Sequence, residues 1–380
     1  MKRKKKILII MDSLTCGGAE KSLISLLPFL AERNYDLTLM LRARGGLFEQ
    51  YVPENVKIAD FPYNASKIGR LLYSVSLRMP WNKHTHTAEI YWRSIGKHFP
   101  ALADEYDVAI AYQQGFPTFF LAEKVKAGKK ICWINADLLK AGYSPVFCKP
   151  FYSKYDRIVA VSNVIKDTVV YPFFTDQKSQ IFTCLDILNE GLIKDMSLEY
   201  EIEKPRKNQI HITTVGRLVP PKGYDLAISS AKILKDRGHL FVWHIVGGGE
   251  LHDKLKELIK ELSLQDYVIL EGEKLNPYPY IAAANIYVQT SKFEGFGITI
   301  GEAKILGKAI LSTNFPVVYE QITDGRNGIV VEMTPKAIAD GIESLIKNPE
   351  LMRNLIDAVS EERNTTAETE SKKVISLIED

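Results

Sequence analysis

The chain has 380 residues, 46% apolar and 25% charged, which excludes a disordered or fibrous protein and leaves room for two domains of ordinary size. Its apolar runs are strand-length, Ile7 to Met11 being typical, and fall short of the run of about 18 that a membrane-spanning helix needs. The net charge of +3 conceals an asymmetry: residues 1–190 carry 26 Lys and Arg against 18 Asp and Glu, the remainder 23 against 28, so the front half is expected to meet something anionic.

The opening, MKRKKKILIIMD, has the basic start of a secretory leader, but Asp12 cuts the apolar stretch short of the roughly 7 to 15 residues a leader requires. It reads as a strand behind a basic tag. Next, SLTCGGAEKSL puts Gly17 and Gly18 where a helix starts, so bare backbone amides and the positive helix end are expected to approach an anion; the same glycines also suit a plain turn. From Glu20 to Arg33 the stripe Leu23, Leu26, Leu27 and Leu30 predicts a helix packed on a sheet. The runs YDLTLML, NVKIAD, DVAIAY, KKICWI and DRIVAVS continue as strands, and their alternation with helical stretches predicts βαβ units around a parallel sheet.

Between those strands, residues 66–98 hold six Lys/Arg, one Glu, three His, two Trp and two Tyr, a mixture that suits an amphipathic surface resting on anionic lipid or, equally, a helical pair with its aromatics turned inward. His84 and His86 have no further ligand near them in the sequence and read as surface residues rather than metal ligands. The four cysteines, Cys16, Cys132, Cys148 and Cys184, show neither C-x-x-C pairing nor metal-ligand spacing and are expected to be reduced, as in the cytosol.

The stretch from Asp186 to Gln209 is charged, contains Pro205 and interrupts the alternation, as a linker does. The predicted organisation is an N-terminal domain over 1–187, a linker over 188–208, a C-terminal domain over 209–363, and a helix over 364–380 that returns to the first domain. Strands resume in HITTVG, FVWHIVG, YVILEG, NIYVQTS, AILST and GIVVE. The fold class is therefore α/β, with two facing Rossmann-like domains and a ligand outside the carboxyl ends of their strands.

In the second domain TTVGRLVPPKGYD places Arg217 and Lys222 beyond a strand's carboxyl end. Two cations there suit a diphosphate, each charge pair at 4 Å being worth about 4 kcal/mol at an effective dielectric near 20, although solvated surface cations fit the same residues. GGGE, Gly247 to Glu250, opens the next helix, with Gly248 as its candidate ligand contact; it lacks the G-x-G-x-x-G order of a dinucleotide enzyme. The most informative run is SKFEGFGITIGEA. Glu294 precedes Gly295, Phe296, Gly297 and Ile298 at a helix start, and Glu302 lies eight residues on, about two turns into that helix. Amides for an anion beside carboxylates for hydroxyls suit a polyhydroxyl ligand tied to phosphate.

Together GGAEKSL, IVAVS at 158–162, GRLVPPKG, GGGE and EGFGITIGEA resemble, in order and over nearly the whole chain, the retaining glycosyltransferases of family four, which have the GT-B fold. The resemblance implies that Gly17 and Gly18 lie near a nucleotide-sugar diphosphate and that Arg217 and Lys222 bind it. It further implies that Glu294 holds sugar hydroxyls, that the amides of Gly295 to Ile298 contact sugar and phosphate, and that Glu302 accepts the ribose hydroxyls. Glu273 and Lys274 resemble the stretch bordering the nucleobase. No cofactor and no metal are expected, and retention is implied to proceed with the leaving phosphate helping to take the acceptor proton. Where many relatives read W-I-H-x-D this chain has Trp133, Ile134, Asn135, Ala136 and Asp137, so a non-titrating amide stands at a position implied to be catalytic. Asp137 reads as a capping or structural residue, with contact to the acceptor as the alternative.

The expected partners are a nucleotide-sugar donor, a uridine diphosphate sugar by default, and a lipid-linked sugar or saccharide acceptor of a bacterial surface polysaccharide. That acceptor is met on an anionic membrane surface from the cytoplasmic side, and no nucleic-acid module is present. Two other readings stay open: a catalytically silent subunit, supported by Asn135, and a sugar-nucleotide epimerase or hydrolase.

Overall fold

The computed structural model of the chain describes residues 3–15, 17–62, 67–167, 173–174, 180–203, 206, 209–362 and 366–380. Cys16, Ser66 and Pro205, each invoked above, lie outside the described residues. The chain divides into two compact units: Met1–Ile187 with Thr366–Asp380, and Leu188–Thr365.

Unit 1 is built on a parallel sheet in the order β3-β2-β1-β4-β5-β6-β7. Its strands are β1 (Lys5–Met11), β2 (Tyr35–Leu41), β3 (Lys57–Asp60), β4 (Glu105–Ala111), β5 (Lys126–Ile134), β6 (Arg157–Ala160) and β7 (Ile181–Thr183). β1 is an interior strand, with Ile7 opposite Leu37 of β2 on one side and Val108 of β4 on the other. A strand covered on both faces can carry an unbroken apolar run, which is why Ile7 to Met11 reads ILIIM and is wholly buried. Around the sheet lie α1 (Gly18–Ala31), α2 (Lys67–Leu77), α3 (Thr87–Ile95), α4 (Phe116–Lys124), α5 (Pro145–Tyr152) and the short α6 (Asn163–Ile165). The leucine stripe of α1 is buried, as its period requires. β7 is absent from the sequence reading because three residues at a sheet edge give too short a run to register.

Unit 2 repeats the plan, in the order β10-β9-β8-β11-β12-β13. The strands are β8 (Ile210–Val215), β9 (Phe241–Val246), β10 (Val268–Gly272), β11 (Ile286–Gln289), β12 (Ala309–Thr313) and β13 (Ile329–Val331). Its helices are α7 (Glu190–Met196), α8 (Tyr224–Asp236), α9 (His252–Glu261), α10 (Tyr278–Ala283), α11 (Ile298–Ile305), α12 (Pro335–Lys347) and α13 (Pro349–Glu361). The core gathers Trp243 and Ile245 of β9, Ile228 and Leu234 of α8, and Ile338, Ile342 and Leu345 of α12.

One stretch differs from the sequence reading. Residues 188–208, expected as a linker, include α7, whose first turn is capped by the Asn189 side chain accepting from Leu192 N at 3.0 Å and whose Ile193 and Met196 are buried in unit 2. The residues from Thr366 on form α14 (Thr366–Glu379) within unit 1. There the ammonium groups of Lys5 and Lys129 donate to the carbonyls of Ile378 and Leu377, both at 3.2 Å, so cations meet the negative end of the helix.

Both sheets have the same reversal of strand order, between β1 and β4 in unit 1 and between β8 and β11 in unit 2. Loops leaving the carboxyl ends of two such strands diverge to opposite sides and leave a recess between them.

Candidate functional site

In unit 2 the recess is set by backbones packed too closely for side chains. A Cβ on Gly247 would lie 1.9 Å from the carbonyl oxygen of Gly216, and one on Gly223, itself at φ +65°, would lie 2.1 Å from that of Thr290. Only glycine allows either approach. The loop after β8 is then tied to the loop after β11: Thr290 Oγ1 donates to the Lys222 carbonyl at 2.9 Å, and Lys292 N to the Pro221 carbonyl at 2.7 Å.

Clamping these loops brings Lys222 onto Glu294. The ammonium lies 2.6 Å from Glu294 Oε1, both side chains being largely shielded from solvent. The same oxygen also accepts from Gln289 Nε2 at 2.8 Å and from Ser291 Oγ at 2.5 Å. Glu294 Oε2 makes no hydrogen bond among the described residues, so a fully anchored carboxylate keeps one oxygen for a hydroxyl donor. Gln289 is itself fixed, because Tyr287 and Thr299 donate their hydroxyls to its Oε1 at 2.8 and 3.1 Å and its amide nitrogen also reaches Ser291 Oγ at 2.7 Å. Burial first, and then the carboxylates Glu302 and Glu294, raise the Tyr287 phenol well above its ordinary value, so it stays a donor.

Gly297, at φ +89°, is the cap residue before α11, and the Gln321 amide donates to the carbonyls of Phe296 and Gly297 at 2.5 and 3.2 Å. Ile300 N donates to the Gly297 carbonyl at 2.9 Å, while the amides of Ile298 and Thr299, the first two residues of the helix, have no intrahelical acceptor and present a positive end. Because α11 begins at Ile298, Glu302 lies only one turn in, and its carboxylate is fully buried, accepting from Tyr278 OH at 3.0 Å. Arg217 is exposed and has no ion pair or side-chain hydrogen bond among the described residues.

The loops after β9 and β10 meet beside these groups. Gly247 N donates to the Gly272 carbonyl at 2.9 Å, and a Cβ on Gly248 would touch the Glu273 Cβ at 3.2 Å. Lys274 lies over the Tyr280 ring, 5.8 Å from its centroid, and 3.9 Å from Glu271. Glu271 is anchored by His244 Nδ1 and by Tyr280 OH, both at 2.8 Å, and the bond to His244 leads in holding its carboxyl below the ordinary range against the opposing effect of burial.

In unit 1 the amide of Gly17 is not bare. Glu20, the third residue of α1, reaches back to it, and Ser13 Oγ and Thr15 Oγ1 donate to the same carboxylate at 3.0 and 3.1 Å. The protein's own carboxylate thus sits where the sequence suggested an external anion, because E follows GGA at capping-box spacing. Gly18 is the first residue of α1. Asn135 lies just beyond the end of β5; its backbone amide donates to Gln114 Oε1 at 2.8 Å, while both polar atoms of its side chain, and Gln113 Oε1, are buried without a hydrogen-bond partner among the described residues. Asp137 caps a turn, accepting from Lys140 N at 3.0 Å. His86, read as a surface residue, instead caps α3 by accepting from Ala88 N at 3.1 Å and stacks on Tyr143 at 4.1 Å; burial lowers its pKa to about 4.

The sequence reading missed Gln289, Ser291, Tyr287 and Gln321 around Glu294, and the Asp12–Arg42 pair (2.7 Å) at the ends of β1 and β2. The signal for the first group was present: a buried strand that ends in QTS must satisfy those polar groups somewhere.

The family model described as "Glycosyl transferases group 1" matches residues 197–362, which hold all of the unit 2 groups above. Over 93% of its length the chain is 24% identical to an uncharacterized glycosyltransferase of Haemophilus influenzae, covering 94% of that protein. It is 29% identical, over 53% of its own length and 54% of the other, to the N-acetylgalactosamine-N,N'-diacetylbacillosaminyl-diphospho-undecaprenol 4-alpha-N-acetylgalactosaminyltransferase of Campylobacter jejuni. The chain spans about half the length of several curated relatives that it matches. Anabaena HepE, solved in complex with UDP and glucose, superposes with a TM-score of 0.72 over 99% of both chains at 18% identity, which establishes the GT-B architecture of two Rossmann-like domains.

Proposed function

We propose that the protein is a glycosyltransferase that moves a sugar, with retention, from a nucleotide-sugar donor to a lipid-linked or saccharide acceptor in bacterial surface-polysaccharide synthesis. The observation that carries this reading is the anchored Glu294 with its free oxygen, joined to Lys222 at the strand reversal of unit 2 beside the start of α11. A sugar diphosphate needs both halves of that pair. Its hydroxyls donate to Glu294 Oε2, and its diphosphate draws Lys222 from Glu294 and recruits Arg217 and the amides of Gly295 to Ile298. Glu294 loses one donor in this exchange but keeps Gln289 and Ser291, so the carboxylate stays in position. As the bond from sugar to phosphate breaks, charge grows on the diphosphate, where these cations and amides stabilise it without a divalent metal. The donor base is read as uracil, bordered by Gly248, Glu273 and Lys274, and Glu302 takes the ribose after displacing Tyr278. UDP and glucose in HepE and the undecaprenol-linked acceptor of the Campylobacter transferase support the two substrate classes. The work is placed on the cytoplasmic face of the membrane, where a lipid-linked acceptor is met.

A second reading, a catalytically silent subunit, is favoured by Asn135, which cannot carry a proton. The test is thermal stabilisation by UDP, GDP, ADP and their sugars, with and without EDTA, followed by transfer to lipid-linked acceptors. A shift with one nucleotide that survives EDTA, followed by transfer, supports the proposal. Binding without transfer to any acceptor favours the silent subunit, and release of free sugar without an acceptor favours a hydrolase.

A further inference from the structure

Helix α2 is amphipathic the wrong way round for a helix packed on a protein core. Ile68, Leu71, Leu72 and Val75, spaced i, i+3, i+4, i+7, form one apolar ridge, and they are 72, 63, 50 and 42% exposed. The face turned to α3 is instead small and polar: Gly69 is buried, Ser76 Oγ accepts from Ser94 Oγ at 3.3 Å, and Tyr73 meets Tyr91 edge-on at 5.1 Å. A ridge of this spacing normally faces a core. Here the helix is anchored through its polar side and offers its leucines outward, and Trp81, just beyond it, is 75% exposed. Lys67 and Arg70 lie on the helix and Arg78 and Lys83 just after it, all exposed and none paired with a carboxylate among the described residues; residues 67–88 contain no Asp or Glu.

We infer that α2 and Trp81 form an interfacial anchor that inserts into the headgroup boundary of an anionic bilayer. Apolar side chains gain by leaving water, four cations gain by meeting anionic headgroups, and an amphipathic aromatic ring is at home between the two layers. The charge decides against a second copy of the chain, since two such faces would oppose cation to cation. The inference rests on the membrane placement proposed above, and not on the transfer chemistry.

The test is co-sedimentation of the full chain with vesicles of phosphatidylcholine alone and with about 30% phosphatidylglycerol, in the absence of donor and acceptor. Tryptophan emission reports the same event, because Trp92, Trp133 and Trp243 are buried and Trp81 is not. Binding to the anionic vesicles with a blue shift that Trp81→Phe abolishes is the expected result. The double variant Leu71→Glu/Leu72→Glu should lower the partition coefficient at least about tenfold, as should neutralising the four cations to Gln, while Leu198→Glu, an exposed leucine of unit 2, should change nothing. These substitutions lie at the surface, and an unchanged melting temperature checks that the fold persists. Equal partition of the double variant and the wild type would overturn the inference. So would failure of the wild type to bind either vesicle; self-association lost on Leu71→Glu/Leu72→Glu would then assign the ridge to a protein contact. A failed transferase assay leaves the anchor standing, and a failed vesicle assay leaves the transferase standing.

Discussion

Glu294 receives three donors on one oxygen, and this asymmetry separates the roles of its neighbours. Removing Lys222 leaves the carboxylate held by Gln289 and Ser291 but, in the reaction proposed above, takes away a cation for the leaving diphosphate. Lys222→Ala should therefore lower single-turnover rate about a thousandfold, roughly 4 kcal/mol of transition-state stabilisation, with little change in melting temperature. Gln289→Ala should act differently. Its amide is buried and joined to Glu294, Ser291, Tyr287 and Thr299, so its loss strands several polar groups and should cost about 1–3 kcal/mol of stability in a denaturant titration, together with activity. A Gln289→Ala protein as stable as the wild type would mean that water replaces the amide. At this scale the sequence drew attention to Lys222 and Glu294 separately, and the structure brings the two together as an ion pair. The sequence concealed Gln289, which reads as one polar residue in an apolar strand until its four partners are in place. It also misled at Gly17, where the same residues that invite an anion spell a capping box that Glu20 fills from within.

At the scale of elements, the recess of unit 2 depends on loop backbones in contact rather than on side chains. Gly223→Ala imposes a Cβ 2.1 Å from the Thr290 carbonyl at a φ of +65°, and the carbonyl belongs to the loop that carries Glu294. Relief requires the two loops to part, which separates Lys222 from Glu294. We expect a loss of more than about 1 kcal/mol in stability and a larger proportional loss of activity than of stability, measured by melting and by turnover on the same preparation. Twelve of the thirteen strands among the described residues were legible because parallel strands covered on both faces are written as mainly apolar runs. α7 was not, since its first residues are polar and its helical character comes from the Asn189 cap and from packing against unit 2. The composition around α2 was legible, but which side of the helix faces solvent was not: an i, i+3, i+4, i+7 stripe announces a buried face, and only the contacts of Tyr73 and Ser76 with α3 show it turned outward.

At the scale of the molecule, one buried acid couples stability to pH. Asp186 precedes Ile187, the residue after which the chain enters unit 2, and its carboxyl is buried beside Ser22, with Oδ1 lacking a hydrogen-bond partner among the described residues. Burial raises its pKa to about 7, the hydrogen bond with Ser22 opposing only part of that shift. The folded chain therefore holds a proton that the unfolded chain has released, from about pH 4 up to about pH 7. The unfolded state binds fewer protons across that window, so the contribution of Asp186 to stability falls as pH rises through it, by about 4 kcal/mol in all. Other carboxylates that are ion-paired, such as Glu271 and Glu49, have lowered values and act in the opposite sense at the acid end, so total stability alone does not isolate the effect. The difference between wild type and Asp186→Asn does. Asparagine keeps the shape and the bond to Ser22 but carries no charge, so the variant should match the wild type near pH 4 and become progressively more stable than it toward pH 8. Guanidinium titrations of both proteins at several pH values measure that difference, and a difference that does not vary with pH would mean that Asp186 is ionised and solvated, with the chain around Ile187 open enough to admit water.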